Sequence, residues 1–125
     1  MKITTFDPII YSNKADDIIR VFEDLGFAKT HAPVTETEKG DVSSVRMKHE
    51  NGYHVDVAAA LNDVPGDVTL IRMNVDNFAE AYDILTAHGF TNTRGDKTLD
   101  TKSAKAATMV SPSGFRIALV EHIKK

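Results

Sequence analysis

A helix-and-hairpin pattern occurs twice in this chain at almost one offset, and that recurrence constrains the fold more than any single motif. Ile18, Val21, Phe22 and Leu25 follow i, i+3, i+4, i+7, the apolar stripe of an amphipathic helix, and Phe78, Ala81, Tyr82 and Leu85 repeat it. Asn13 with Asp16 has the form of a capping box, and Asp76 or Asn77 can cap the second helix. Both helices exit through Gly-Phe, at Gly26-Phe27 and Gly89-Phe90, 63 residues apart. Strand-forming runs surround each helix in the same order. Residues 3–11 precede the first helix and 68–75 the second. Residues 42–48 and 53–59 follow the first across Glu50-Asn51-Gly52; 104–110 and 115–121 follow the second across Ser111-Pro112-Ser113-Gly114. The turn glycines, Gly52 and Gly114, lie 62 residues apart. A weaker strand is expected after each Gly-Phe, over 28–35 and 91–93. Each half therefore reads β-α-β-β-β. The expected organisation is one domain of two repeats, 1–61 and 67–125, joined by a polar linker at 62–66, with a mobile polar loop over 94–103.

Composition narrows the function classes. The longest unbroken apolar run, Val57 to Leu61, has five residues, against roughly 20 for a membrane span, so no membrane association is expected. With no cysteine there is no disulfide framework, thiolate nucleophile or Cys-based zinc site, which fits a cytoplasmic protein. A net charge of −3 supplies no basic field for nucleic acid. Gly-rich phosphate loops, GxSxG and HExxH are all absent.

A tandem β-α-β-β-β repeat of this length resembles the vicinal oxygen chelate superfamily, which includes glyoxalase I, bleomycin-resistance proteins, fosfomycin-modifying enzymes and extradiol dioxygenases. The resemblance spans the whole chain. Val21-Phe22-Glu23-Asp24-Leu25-Gly26-Phe27 is similar to the family's helix-end FYxxLGF, and Ser111-Pro112-Ser113-Gly114-Phe115 to its DPDGN turn. The fold it implies is α+β, with the tandem repeat forming a curved mixed sheet around a cavity. The rival, a ferredoxin-like dimeric α+β barrel, has fewer strands per helix. In metal-using members a ligand lies early on the first strand of each half, and a carboxylate four residues beyond the turn glycine. Carried over, those positions hold Asp7, Asp56, Leu70 and Ala118 where the family places two His and two Glu. Two of the four are apolar, so no metal and no other cofactor is expected.

Strand alternation sorts side chains by face. If Asp56 faces the cavity, so do His54 and Ala58, while Val55 and Val57 face the helix. A two- or four-residue hairpin loop adds Val45, Met47 and His49 to the cavity face; a three-residue loop reverses them. Asp7, Ile9 and Tyr11 share the corresponding face of the first strand. In the second half Leu70, Arg72 and Asn74 share it, with Arg116, Ala118 and Val120, and Ala107 and Met109 are grouped with these. The candidate ligand-binding residues are thus Asp7, Tyr11, Met47, His49, His54, Asp56, Arg72, Asn74, Met109 and Arg116. No catalytic residue is assigned. Plainer roles stand beside these: His49 and His54 flank a turn, where exposed histidines are ordinary, and Met47 and Met109 serve equally as packing.

The leading expectation is a small-molecule binding protein of this superfamily lacking the metal site. A metal-dependent lyase or isomerase of the glyoxalase kind, using Asp7, Asp56 and His54, is the alternative. A non-catalytic interaction module with a collapsed cavity is a third. Arg72 and Arg116 need partners, because an uncompensated buried charge is costly. Asp7 and Asp56 can supply them, and so can an acidic group on a small-molecule ligand. A homodimer is expected, with Phe6, Tyr53 and Phe115 as contact residues.

Overall fold

The computed structural model describes residues 1–31, 34–37, 40–59 and 66–123. Among the described residues ten strands and two helices follow in order: β1 (Ile3–Ser12), α1 (Ala15–Asp24), β2 (Phe27–His31), β3 (Val34–Thr37), β4 (Gly40–His49), β5 (His54–Ala59), β6 (Val68–Val75), α2 (Phe78–Ala87), β7 (Thr91–Asn92), β8 (Leu99–Asp100), β9 (Ala104–Val110) and β10 (Arg116–His122). The class is α+β, a tandem repeat on mixed sheets. The chain forms two compact units, Asp7–Thr69 and Met1–Phe6 with Leu70–Lys125, here called the first and second units. Most of the expected linker at 62–66 lies outside the described residues. Among the described residues no helix is long and apolar enough to cross a membrane.

Within each unit the pairing is the same. In the first, β1 runs parallel to β5, β5 is antiparallel to β4, and β4 is antiparallel to β2. In the second, β6 runs parallel to β10, β10 is antiparallel to β9, and β9 is antiparallel to β7. Each half carries one strand more than the expected three after the helix. β3 pairs with β4, and β8, inside the segment expected to be a polar loop, pairs with β9. Both partner strands run longer than their neighbours β2 and β7, and the extra strands take up backbone groups that would otherwise be unpaired.

The helices lie on one face of each sheet. Ile19, Met47, Val55 and Val57 form a buried cluster with Ala15, Ile18 and Phe22 of α1 packed on it. The stripe of α1 that is used is Ala15, Ile18, Ile19 and Phe22, still at i, i+3, i+4, i+7, whereas Val21 and Leu25 are exposed. The matching cluster of the second unit gathers Met73, Val75, Phe78, Ala81, Ala107, Met109, Ile117 and Leu119. A fully buried side chain of this kind contributes about 1.5–3 kcal/mol, so these two clusters hold the helices in place.

The helix starts differ. Asn77 is the N-cap of α2, and its side chain accepts from the Glu80 N–H. The first N–H of the helix, at Phe78, donates to Glu121 Oε1 of β10 at 2.7 Å, so two orphan donors of the first turn are satisfied. The N-cap of α1 is Lys14 rather than Asn13, and its side chain makes no cap bond. Ser12 instead holds the approach to this helix. Its Oγ accepts from the Lys14 N–H and donates to Asp67 Oδ1 at 2.7 Å.

Candidate functional site

The two hairpins decide which side chains share a face. In the first, the His49 N–H donates to the Tyr53 carbonyl and the Gly52 N–H to the His49 carbonyl. In the second, Ser111, Phe115 and Gly114 make the same two bonds. Both loops therefore have three residues, ending in a glycine at φ +95° and +98° respectively. This is a turn closed by a left-handed residue, a conformation that favours glycine.

A three-residue loop fixes the register. Met47 stands opposite Val55, Arg46 opposite Asp56, and Lys48 opposite His54. Met109 stands opposite Ile117, Thr108 opposite Ala118, and Val110 opposite Arg116. Val45, Met47 and His49, grouped with Asp56 on the premise of an even loop, therefore belong to the helix side. Met47 is fully buried in the α1 cluster. His49 packs its ring edgewise on Phe27, lies beside Tyr53, and accepts the Asn51 N–H at Nδ1. Ala107 and Met109 are likewise corrected to the α2 cluster. The side chains that replace them on the other face are Ser44, Arg46 and Lys48 in the first unit, and Ala106, Thr108 and Val110 in the second.

The remaining face assignments agree with the register. On the helix-free face of the first unit stand Asp7, Ile9 and Tyr11 of β1, and His54, Asp56 and Ala58 of β5. Asp7, Ile9, Asp56 and Ala58 are buried, and Tyr11 is half-buried. His54 is exposed at the start of its strand. In the second unit Leu70, Arg72 and Asn74 of β6 share the face with Arg116, Ala118 and Val120 of β10. Leu70, Asn74 and Ala118 are buried and Arg72 is half-buried, but Arg116 is exposed. Arg116 therefore needs no buried partner, contrary to the expectation for both arginines.

Polar geometry centres on two guanidinium groups. Arg46 Nε donates to Asp56 Oδ1 at 3.2 Å, and the pair is lopsided: the Asp56 side chain is 1% exposed and the Arg46 side chain 26%. Arg72 Nε donates to Asn74 Oδ1, also at 3.2 Å. Each arginine is thus oriented through Nε by a buried acceptor of its own unit. Sequence reasoning missed Arg46, yet the signal was present. Ser44, Arg46 and Lys48 alternate with apolar Val45 and Met47, which is the pattern of one polar and one core-facing side.

The resemblance places metal ligands at Asp7, Asp56, Leu70 and Ala118. Leu70 and Ala118 have no electron pair to give, and Asp56 is engaged by Arg46. Among the described residues no three His, Asp or Glu side chains cluster as a metal site would require.

No family model and no curated protein matches the sequence. Solved structures match over nearly the whole chain. A methylmalonyl-CoA epimerase from Mycobacterium tuberculosis is 16% identical with a TM-score of 0.71, covering 98% of this chain and 90% of its own. Another methylmalonyl-CoA epimerase is 20% identical with a TM-score of 0.67, covering 99% of each chain. A glyoxalase/bleomycin resistance protein/dioxygenase superfamily member from Vibrio splendidus 12B01 is 15% identical with a TM-score of 0.62, covering 96% of this chain and 99% of its own. The fold is that of the vicinal oxygen chelate proteins.

Proposed function

We propose that the protein binds a small organic molecule on its helix-free sheet surface and does so without a functional metal site. The observation that carries this reading is the fate of the four ligand positions. Two hold Leu70 and Ala118, and the carboxylate of a third, Asp56, accepts a hydrogen bond from Arg46. The helix-free face of the first unit keeps Ile9 and Tyr11 beside the oriented Arg46, and that of the second keeps Leu70 and Val120 beside Arg72 and Asn74, each a mixture of apolar and oriented polar groups that suits a small molecule. The guanidinium groups suit a ligand with an acidic group.

The test combines elemental analysis with native mass spectrometry of protein purified without chelator. The expected result is a retained or exchangeable small organic molecule and less than stoichiometric transition metal. One equivalent of zinc, nickel or iron per chain, lost on Asp56→Ala, would replace this reading with a metal-dependent lyase or isomerase. A melting temperature unmoved by any of a broad set of metabolites would favour an interaction module instead, since a ligand specific to the native state must raise it.

The same reading includes a cytoplasmic location and a homodimer. Phe6, Tyr53 and Phe115 are 63%, 66% and 51% exposed, a sizeable apolar area for one chain to leave in water. Light scattering at micromolar concentration is expected to give the mass of two chains; a monomer there and above rules the dimer out.

A further inference from the structure

The Arg46–Asp56 pair has a built-in comparison within the chain. The hairpin of the second unit has the same loop and the same register, and at the equivalent rung it carries Thr108 opposite Ala118. Both sheets form, so the architecture does not require an ion pair at that rung. Nor is a buried pair a strong source of stability, since desolvating the charges offsets most of their attraction. Asp56 is the closed half of the pair, at 1% exposed, and Arg46 the open half, at 26%. The bond uses Nε, and a guanidinium held there can offer its two terminal nitrogens to a planar or tetrahedral oxyanion in a two-point contact. The next rung of the same face, Lys48 opposite His54, is exposed and adds a cation nearby.

From this asymmetry we infer that Arg46 is the anion-recognition residue of the first unit, contacting a carboxylate or phosphate group of the ligand, and that Asp56 is a positioning residue that fixes the guanidinium. The inference rests on the proposed binding function and adds a residue and a ligand class to it. Asp56 orients the planar group before the ligand arrives, which lowers the ordering cost of binding.

The test is titration of the whole protein with benzoate and with phenyl phosphate, using benzamide as the uncharged control, followed on the arginine Nε–Hε resonances. Arg46→Lys identifies the Arg46 resonance and removes the fork while keeping the charge. The expected result is a saturable shift of the Arg46 resonance with at least one of the two oxyanions and none with benzamide. Arg46→Lys should weaken that binding by about tenfold or more, the loss expected for a hydrogen bond to a charged group. Asp56→Asn, which keeps the shape, should weaken it less and move the Arg46 Nε–Hε resonance in the absence of any ligand. Benzoate and phenyl phosphate separate the carboxylate from the phosphate source. The inference is overturned if neither oxyanion moves the Arg46 resonance, or if Arg46→Lys binds as tightly as the natural chain. Binding that shifts other resonances, such as that of Arg72, would overturn it while leaving the proposed function standing. The proposed function itself fails on the separate retained-ligand and metal measurement.

Discussion

The two units solve one folding problem with the same backbone and dress it differently. Each has a parallel pair of strands, a hairpin closed by three residues ending in glycine, and a helix covering one sheet face. On the covered face the chemistry is nearly interchangeable: Met47 and Met109 occupy equivalent places and both are fully buried. On the other face it diverges. The row Ile9, Asp56, Arg46 of the first unit corresponds to Arg72, Ala118, Thr108 of the second. One guanidinium is present in each row, at the hairpin strand in the first and at the parallel strand in the second, and a carboxylate occurs only in the first. Packing constrains the helix side to apolar residues of matching volume. The other side carries a different set of buried and half-buried polar and apolar residues in each unit, which is where function is to be sought.

Substitutions test how far the two units are equivalent. The largest effect is expected in the cores. Met47→Ala and Met109→Ala should each cost about 2–5 kcal/mol in urea unfolding, with similar values, because both leave a cavity in a dense cluster. A large loss at one and almost none at the other would break the equivalence. Next comes Arg46→Thr, which installs the second unit's residue but leaves Asp56 buried without its arginine. It should cost about 3 kcal/mol, the size expected when one partner of a buried pair is removed.

Smaller effects probe the turns and caps. Gly52→Ala and Gly114→Ala both force a side chain into the left-handed region and should each cost about 1–2 kcal/mol, read as matched falls in melting temperature. Nothing lies within 4 Å of a Cβ added at either position, so the cost is backbone strain rather than collision. Asn77→Ala should cost about 1 kcal/mol by removing a bonded cap, whereas Lys14→Ala should change stability by less than about 0.5 kcal/mol, since Lys14 caps nothing with its side chain.

Much of this architecture is readable from the chain because its signals are local and repeated. The spacing of Gly26 and Gly89, and of Gly52 and Gly114, announces the duplication, and the alternation in Ile71-Arg72-Met73-Asn74-Val75 assigns faces directly. The errors arose where one residue of loop length carries all the information. Even loops across Glu50-Asn51-Gly52 and Ser111-Pro112-Ser113-Gly114 would put Met47, His49 and Met109 on the cavity face and keep Arg46 off it; the observed three-residue loops reverse this, because a shift of one residue exchanges the faces of a whole strand. The stripe of α1 differs from its sequence expectation for another reason. Val21 and Leu25 satisfy helical periodicity as well as Ile19 does, and only the position of the sheet decides which of two overlapping stripes is buried. The added strands β3 and β8 could not be read because short, polar pairing segments carry no periodic apolar signal.

The claim that matters most is that the Arg46–Asp56 pair serves recognition and not folding. The double substitution Arg46→Thr with Asp56→Ala gives the first unit the rung already present in the second and removes both charges together. Urea unfolding of this variant, paired with an oxyanion titration on the same sample, tests the claim directly. The expected result is stability within about 1 kcal/mol of the natural chain, as for other ion pairs replaced whole, together with loss of the response to benzoate or phenyl phosphate. A fall of about 3 kcal/mol or more with the oxyanion response intact would contradict it, and would make the pair a structural feature of the first unit.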